Sequence, residues 1–220
     1  SPVISVNYLE KNGLKFGTVG KVIDNVIVKI ADDGEILCKG PNVMMGYYKD
    51  PKQTSQVMSE DFFHTGDIGV IDMDGFLRIT DRKKEIFKTS GGKYIAPQVL
   101  ENELKQSLFI EQIMIVGEGK KMPGAVIQPN FDHARFWFNE NQIEYKDDLE
   151  SICNSSILIE KIESEIRLHD NKFGNWEQVK KFQLTADVWS IDDGQLAPNL
   201  KVRRKFVREK YKDLVDEIYK

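Results

Sequence analysis

The chain has 220 residues, of which 40% are hydrophobic and 30% are charged, and its net charge is −4. This length and composition suit one large or two small globular domains with apolar cores. The acidic balance argues against general binding to nucleic acid or to an anionic membrane, because both need clustered positive charge. No apolar run approaches the roughly 20 residues of a membrane span.

Cysteine and histidine residues are few and scattered. Cys38 and Cys153 lie far apart, and the three histidines follow no metal-ligand spacing. We therefore expect no zinc site, and a reduced protein of the cytoplasm. The first six residues contain neither an initiator Met nor a signal-peptide pattern, so the chain is expected to be part of a longer protein.

Residues 17–80 show the pattern of short strands joined by tight turns. Asp32-Asp33-Gly34 and Asp72-Met73-Asp74-Gly75 are turn signals between β-branched or apolar segments, and each predicts a β-hairpin. Between the hairpins, Asp50 and Pro51 begin a short helix that we expect to end at Met58. The expected hairpin strands are Val26–Ile30, Glu35–Cys38, Ile68–Ile71 and Phe76–Thr80. This part is mostly β.

Beyond residue 82, helical patterns alternate with strands, and a third hairpin is expected to turn at Ser90-Gly91-Gly92. The predicted elements that follow are a helix opening at Ala96-Pro97-Gln98 with an apolar face extending to Leu108, strands at Gln112–Val116 and Gly124–Gln128, a helix capped by Asp132, a helix at Ile157–Leu168, a strand at Val179–Leu184 and a final helix from Lys205 to Tyr219. The chain is therefore predicted to be α+β, with a small β-rich subdomain followed by an α+β domain. The boundary is placed at residues 81–84.

Thr65-Gly66-Asp67 is the first candidate binding site. The glycine allows a tight turn, and the carboxylate that follows can accept hydrogen bonds from both hydroxyls of a vicinal diol such as ribose. An ordinary turn, in which Asp67 bonds nearby amides, is the competing interpretation.

The second candidate is the basic stretch that contains Arg82, Lys83, Lys84 and Lys88. If a strand ran through it, Lys84 and Lys88 would share one face, from which a cation could reach a phosphate or carboxylate. A solvated, charged edge strand is the competing interpretation.

Two further segments could approach a ligand. The Gly91-Gly92 pair removes Cβ atoms that would block a narrow ligand, although a simple hairpin turn explains it equally well. A second basic cluster, from Ala197 to Lys205, precedes a helix. Positive charges at the start of a helix interact unfavourably with the helix dipole. Pairing of Arg203 and Arg204 with acidic neighbours is the competing interpretation.

In this order and at these spacings, the segments resemble the adenylate-forming enzymes, and among them the long-chain fatty acyl-CoA synthetases. Several ordered motifs carry the resemblance over nearly the whole chain, which makes it far more specific than any one of them. They are Gly34-Glu35-Ile36 through Gly46-Tyr47, Phe63-His64-Thr65-Gly66-Asp67, Asp81-Arg82-Lys83-Lys84 through Glu101, Ser90-Gly91-Gly92-Lys93-Tyr94-Ile95-Ala96-Pro97, and Leu196-Ala197-Pro198-Asn199-Leu200-Lys201.

The resemblance implies a domain organisation and an activity. Residues 1–81 would be the β subdomain that ends the large N-terminal AMP-binding domain, and residues 82–220 the mobile C-terminal domain. The parent protein would be a long-chain fatty acid–CoA ligase that uses ATP, Mg²⁺ and CoA and forms AMP, with a peripheral membrane contact left open. The Ser/Thr/Gly-rich phosphate loop and the segment with a magnesium-binding Glu are absent, so the chain alone is expected to be inactive.

The resemblance also implies residue roles. Asp67 would bind the ribose hydroxyls of ATP or acyl-AMP with Arg82 beside it, and Lys84 would be the hinge. Lys201 would bridge the substrate carboxylate and the α-phosphate during adenylation.

Lys88, Gly91 and Gly92 would serve thioester formation and the passage of the pantetheine arm. Near Lys201 the chain departs from the family pattern, because Ala197 and Asn199 replace Thr and Leu200 stands where many relatives have Gly.

Two alternatives remain open at this point. One is an adenylating domain that passes its acyl group to a carrier protein, and the other is a non-catalytic module whose basic loops bind an acidic partner. Acyl chain length and oligomeric state cannot be inferred from these residues.

Overall fold

The structure is a computed structural model that describes residues 3–220. Residues 1 and 2, which open the predicted 1–81 subdomain, lie outside the described residues. The chain divides into two compact units between Ile86 and Phe87. The predicted boundary between residues 81 and 82 remains a prediction.

The first unit is built on one antiparallel sheet with the strand order β1-β2-β7-β6-β4-β3, and β5 pairs with β6. Its elements are β1 (Ser5–Val6), β2 (Gly20–Val22), β3 (Ile27–Ile30), β4 (Glu35–Lys39), α1 (Pro51–Val57), β5 (Met58–Ser59), β6 (Phe62–Ile71) and β7 (Phe76–Arg82). The two predicted hairpins are β3–β4 and β6–β7. They form as expected because local turn chemistry specifies both.

Side-chain hydrogen bonds show how this unit makes its turns. Asp72 accepts hydrogen bonds from the amides of Asp74 and Phe76, both at 3.0 Å, and Gly75 supplies the positive φ of +81°. Asp50 caps α1 as predicted by accepting from the Gln53 amide at 2.8 Å.

The second unit is α+β and contains two small sheets. Its elements are β8 (Phe87–Lys88), β9 (Tyr94–Ile95), α2 (Pro97–Leu104), β10 (Ile110–Val116), β11 (Gly124–Pro129), α3 (Phe131–Glu140), α4 (Leu149–Cys153), α5 (Ser156–Asp170), β12 (Lys181–Leu184), α6 (Arg204–Lys210) and α7 (Lys212–Ile218). Strands β8 and β9 form the predicted third hairpin. Strand β11 pairs antiparallel with β10 and parallel with β12. The α+β fold class is confirmed.

The three-stranded sheet separates two apolar clusters. Ile113, Ile115 and Ile127 pack with helices α2 and α5 on one face, whereas Met114 and Val126 pack with α6 and α7 on the other. Alternate residues of a strand point to opposite faces, so the nearly continuous apolar runs of β10 and β11 bury both.

Three local predictions in this unit were wrong. Helix α3 is capped by Asn130, which accepts from the His133 amide at 3.0 Å, and Asp132 lies in the first turn instead. Helix α2 ends at Leu104, which leaves Leu108 68% exposed. The expected single helix from Lys205 to Tyr219 is two helices, α6 and α7.

The break between α6 and α7 has a visible cause at Tyr211. Its hydroxyl donates to Asp187 Oδ2 at 2.8 Å, and its ring stacks on Trp189 with the ring centroids 5.8 Å apart. The backbone there leaves the helical region, with φ −102° and ψ 29°. The apolar stripe continues across the break, so periodicity could not reveal it.

Candidate functional site

Asp67 and Arg82 lie opposite each other on β6 and β7. They are register partners, and Arg82 Nε is 2.7 Å from Asp67 Oδ1. The side chain of Asp67 is 21% exposed and that of Arg82 is 51% exposed. A carboxylate offers about four lone-pair directions, so Arg82 can orient Asp67 while acceptor capacity remains for two hydroxyls.

The tight turn predicted at Thr65-Gly66-Asp67 is a bend inside β6, where the pairing register with β4 shifts, and not a loop before a strand. We call this bend the Asp67 turn, and neighbouring side chains hold it. Gly66 has φ +73°, and a Cβ there would meet no atom within 4 Å, so the backbone conformation is what favours glycine. Thr65 Oγ1 donates to the Ile36 carbonyl at 2.7 Å and accepts from the Asp67 amide at 3.1 Å. The carboxylate therefore starts from a defined backbone position.

A buried carboxylate, Glu35, lies beneath this turn. Its side chain is only 4% exposed and bonds His64 Nδ1 and Lys83 Nζ, both at 2.8 Å, as well as the Gly66 amide at 3.0 Å. Burial alone would raise the pKa of Glu35, but the hydrogen bonds from Lys83, His64 and Gly66 outweigh it and hold the pKa below its usual value.

Glu35 was not predicted as a site residue, although its position in the sequence indicates a carboxylate that needs partners. It opens a strand whose next three residues are apolar and buried, and a carboxylate there needs cationic or amide partners. Its partners at positions 64, 66 and 83 are distant in sequence, so only the fold identifies them.

The stretch around Lys84 is a turn, which corrects the strand considered for it. Residues 83–85 form the turn, with the Glu85 amide donating to the Arg82 carbonyl at 2.9 Å. Lys84 is exposed in this turn, whereas Lys83 bonds Asp33 at 2.7 Å in addition to Glu35. Lys84 and Lys88 therefore do not share the face of one strand.

Lys88 and the glycine pair lie together on the β8–β9 hairpin. Gly92 has φ +80°, and a Cβ on it would lie 3.7 Å from the Cε of Lys88. The Lys88 ammonium lies 5.3 Å from the centroid of the Tyr94 ring. At Gly91 a Cβ would approach only Thr89 Oγ1, at 3.9 Å, so the tip of the hairpin is open.

Lys201 lies on a different loop of the second unit, with its side chain exposed. The Leu200 amide donates to the Ala197 carbonyl, and the Ala197 amide donates to the Lys201 carbonyl, both at 2.8 Å. Leu200 has φ +61°, in the left-handed region that glycine adopts without penalty. The resemblance gives this as the position where many relatives have Gly.

The loop is anchored at its end by a mostly buried ion pair. Arg204, which begins α6, bonds the carboxylate of Glu101 on α2, and these side chains are 15% and 9% exposed. Glu101 also accepts from the Ile115 amide at 2.7 Å. Pairing of Arg204 with an acidic residue was the competing interpretation of the second basic cluster.

Neither a metal cluster nor a membrane span is found in residues 3–220. Within that range there is no group of three or more His, Cys, Asp or Glu side chains that could hold a metal ion, so no residue is assigned to Mg²⁺. No helix in the same range is long and apolar enough to cross a membrane.

The second unit, with the three residues before it, matches a known class of protein domain. The family described as the AMP-binding enzyme C-terminal domain matches residues 84–220. The chain belongs to this family.

Curated relatives cover almost all of the chain. It is 36% identical over 208 residues to the long-chain-fatty-acid–CoA ligase FadD15 of Mycobacterium tuberculosis. The aligned region covers 94% of this chain and 35% of the relative. It is 34% identical over 218 residues to the human long-chain-fatty-acid–CoA ligase 1. This aligned region covers 92% of the chain and 31% of the relative. The chain thus spans about a third of the length of these relatives.

Solved structures show the same fold. The adenylation domain of a carboxylate reductase from Mycobacterium chelonae matches with a TM-score of 0.72 at 20% identity, over 93% of this chain and 34% of that one. An ATP-bound chimera, RpMatB-BxBclM, matches with a TM-score of 0.66 at 24% identity, over 93% of this chain and 37% of the other. The adenylate-forming fold expected from the resemblance is confirmed.

Proposed function

We propose that this chain is the C-terminal part of an AMP-forming long-chain fatty acid–CoA ligase. The full protein would convert a fatty acid, ATP and CoA into acyl-CoA, AMP and pyrophosphate through acyl-AMP. The observation that carries the proposal is the Asp67–Arg82 pair, a carboxylate oriented by a guanidinium, in a chain 36% identical to such a ligase. The Asp67–Arg82 pair fits a ribose, and no residue of 3–220 is assigned to magnesium.

Asp67 would bind the nucleotide through its ribose. With Arg82 on one oxygen, the carboxylate keeps acceptor positions for the 2′- and 3′-hydroxyls of ATP and later of acyl-AMP. The contact is the same in both half-reactions, so we expect it to contribute to each.

Lys201 would act in adenylation. The fatty-acid carboxylate attacks the α-phosphorus and pyrophosphate leaves, which brings two anions together. An ammonium group between them offsets the repulsion and stabilises the charge of the transition state. The exposed side chain on a short loop suits a group that reaches toward substrate.

Lys88 with Gly91 and Gly92 would act in the second half-reaction. The CoA thiol loses its proton to solvent, its sulfur attacks the acyl carbonyl, the carbon–oxygen bond to AMP breaks, and AMP leaves. The open hairpin tip would let the narrow pantetheine arm pass close to the backbone. Lys84, exposed in its turn, would be the pivot that exchanges the two arrangements.

The test is an assay of the full-length protein with a panel of fatty acids and two acceptors, CoA and a phosphopantetheinylated carrier protein. We expect acyl-CoA, AMP and pyrophosphate in equal amounts. Transfer to the carrier protein alone would instead support the alternative adenylating domain. Absence of fatty-acid-dependent pyrophosphate release with either acceptor would refute the ligase.

A further inference from the structure

Glu35 connects two parts of the first unit that the proposed function uses separately. Through Oε1 it accepts from the Gly66 amide at 3.0 Å, in the turn that presents Asp67. Through Oε2 it bonds Lys83, the residue directly before the proposed pivot, at 2.8 Å. The Lys83 amide in turn donates to the Gly66 carbonyl at 2.9 Å, which closes a ring of contacts.

We propose that Glu35 is a positioning residue for the nucleotide: its carboxylate holds the Gly66 turn and Lys83 together, so that Asp67 and Arg82 stay aligned on the ribose. The inference rests on the proposed function. It assigns to Glu35 no contact with substrate, since its side chain is only 4% exposed.

The charge of Glu35 is what the arrangement requires. Lys83 Nζ and His64 Nδ1 both approach Oε2 at 2.8 Å, and Oε1 is engaged by Gly66. An amide in this place keeps the shape and one acceptor, but turns an NH₂ group toward the Lys83 ammonium. Glu35→Gln should therefore release Lys83 without opening a cavity.

Ser59 supplies a matched control. Its hydroxyl bonds His64 Nε2 at 2.6 Å, on the side of the imidazole away from Glu35. Ser59→Ala thus removes one contact of His64 and leaves those of Glu35 with Gly66 and Lys83 in place.

The kinetic test uses the full-length protein. We expect Glu35→Gln to raise the KM for ATP about three- to tenfold, which is the size of about one neutral hydrogen bond, and to leave the KM for fatty acid unchanged. Ser59→Ala should leave both values within about twofold. A lower kcat with an unchanged KM for ATP would mean that Glu35 merely supports folding, and would overturn the inference.

A second measurement does not depend on activity. In the 220-residue chain, Glu35→Ala should cut the hydrogen-exchange protection of the Gly66 and Lys83 amides at least about tenfold, because the ring of contacts opens. The Val19 amide, which donates to the Leu77 carbonyl at 2.8 Å, should keep its protection.

Equal loss at all three amides, or no loss, would refute the positioning role. If Glu35→Ala does not fold, the hydrogen-exchange protection of the Lys83 amide is measured in Glu35→Gln instead, and the same outcomes apply. If the full-length protein forms no acyl-CoA but these amides behave as expected, the proposed function fails and the positioning role of Glu35 in the turn stands.

Discussion

The segments that present Asp67 and Lys201 share a backbone device but are built differently. In each, the residue directly before the functional side chain has a positive φ, +73° at Gly66 and +61° at Leu200. Glycine adopts this conformation freely, whereas an ordinary L-residue loses roughly 1–2 kcal/mol. The Lys201 loop therefore carries strain that the Asp67 turn does not.

The Asp67 turn is also held by more side-chain contacts than the Lys201 loop. Asp67 is held by Arg82, and its turn by Thr65 and Glu35. Lys201 is exposed, and its loop is held by backbone hydrogen bonds, by Asn199 Oδ1, which accepts from the Lys201 amide at 3.3 Å, and by Arg204 beyond its end. This difference fits the proposed roles, since a ribose contact needs fixed geometry, whereas the lysine is carried on a loop anchored mainly at its ends.

The largest effect on stability is expected at that anchor. Glu101→Ala removes the carboxylate that a mostly buried Arg204 and the Ile115 amide both use, and should lower the free energy of unfolding by about 3–5 kcal/mol. Denaturant unfolding measures it. The exposed pair Arg208–Glu118 is the control, and Glu118→Ala should cost less than about 1 kcal/mol. Similar losses in both variants would contradict a special anchor.

A smaller loss is expected at Gly66. A Cβ there meets no atom within 4 Å, so Gly66→Ala should cost about 1–2 kcal/mol from the positive φ alone. Gly91 is the matched control, because its φ lies outside the positive region and its nearest atom would be 3.9 Å away. Gly91→Ala should be neutral within about 0.5 kcal/mol. If both substitutions are equally mild, the Asp67 turn does not need glycine.

Leu200→Gly should have the opposite sign. Relief of the positive φ is partly offset by the greater freedom of glycine in the unfolded chain, so we expect a gain of up to about 1 kcal/mol. Thermal unfolding can detect it. Leu200→Ala keeps a Cβ at the same φ and should give no gain. A gain from alanine would show that the exposed leucine side chain, and not its backbone, is the source of the strain.

The smallest effect concerns pH and Glu35. Its pKa is lowered from the usual 4.5 in the folded chain by Lys83 and His64, against the opposing effect of burial, while Asp33 also pairs with Lys83. A lowered pKa contributes stability above about pH 4.5, and this contribution is lost as the pH falls through the folded-state value. The stability difference between the native chain and Glu35→Gln should therefore shrink from about pH 6 to about pH 3. A constant difference would contradict the role of the charge.

Local chemistry made much of the fold predictable. The hairpin at Asp72–Gly75 and the cap at Asp50 depend on side chains that bond their own neighbours in sequence. The break at Tyr211 depends on Asp187 and Trp189, which are distant in sequence, so the apolar stripe alone predicted one helix.

The residues of the candidate site also divide into those that sequence motifs indicate and those whose role depends on contacts distant in sequence. Asp67 and Arg82 were predicted as site residues because both stand in ordered motifs, and the fold pairs them across β6 and β7. Glu35 also stands in a motif, but its role depends on three contacts brought together by the sheet. The positive φ of Leu200 was not predicted, and the only signal for it was that many relatives have Gly at this position.

The most direct test measures both half-reactions in full-length Lys201→Ala and Asp67→Ala variants. Lys201→Ala should lower fatty-acid-dependent ATP–pyrophosphate exchange about 10²- to 10³-fold and leave thioester formation from pre-made acyl-AMP within about threefold. Asp67→Ala should impair both, because the proposed ribose contact is the same in both half-reactions. Equal loss of both half-reactions in Lys201→Ala would contradict the division of labour between the fixed turn and the lysine loop.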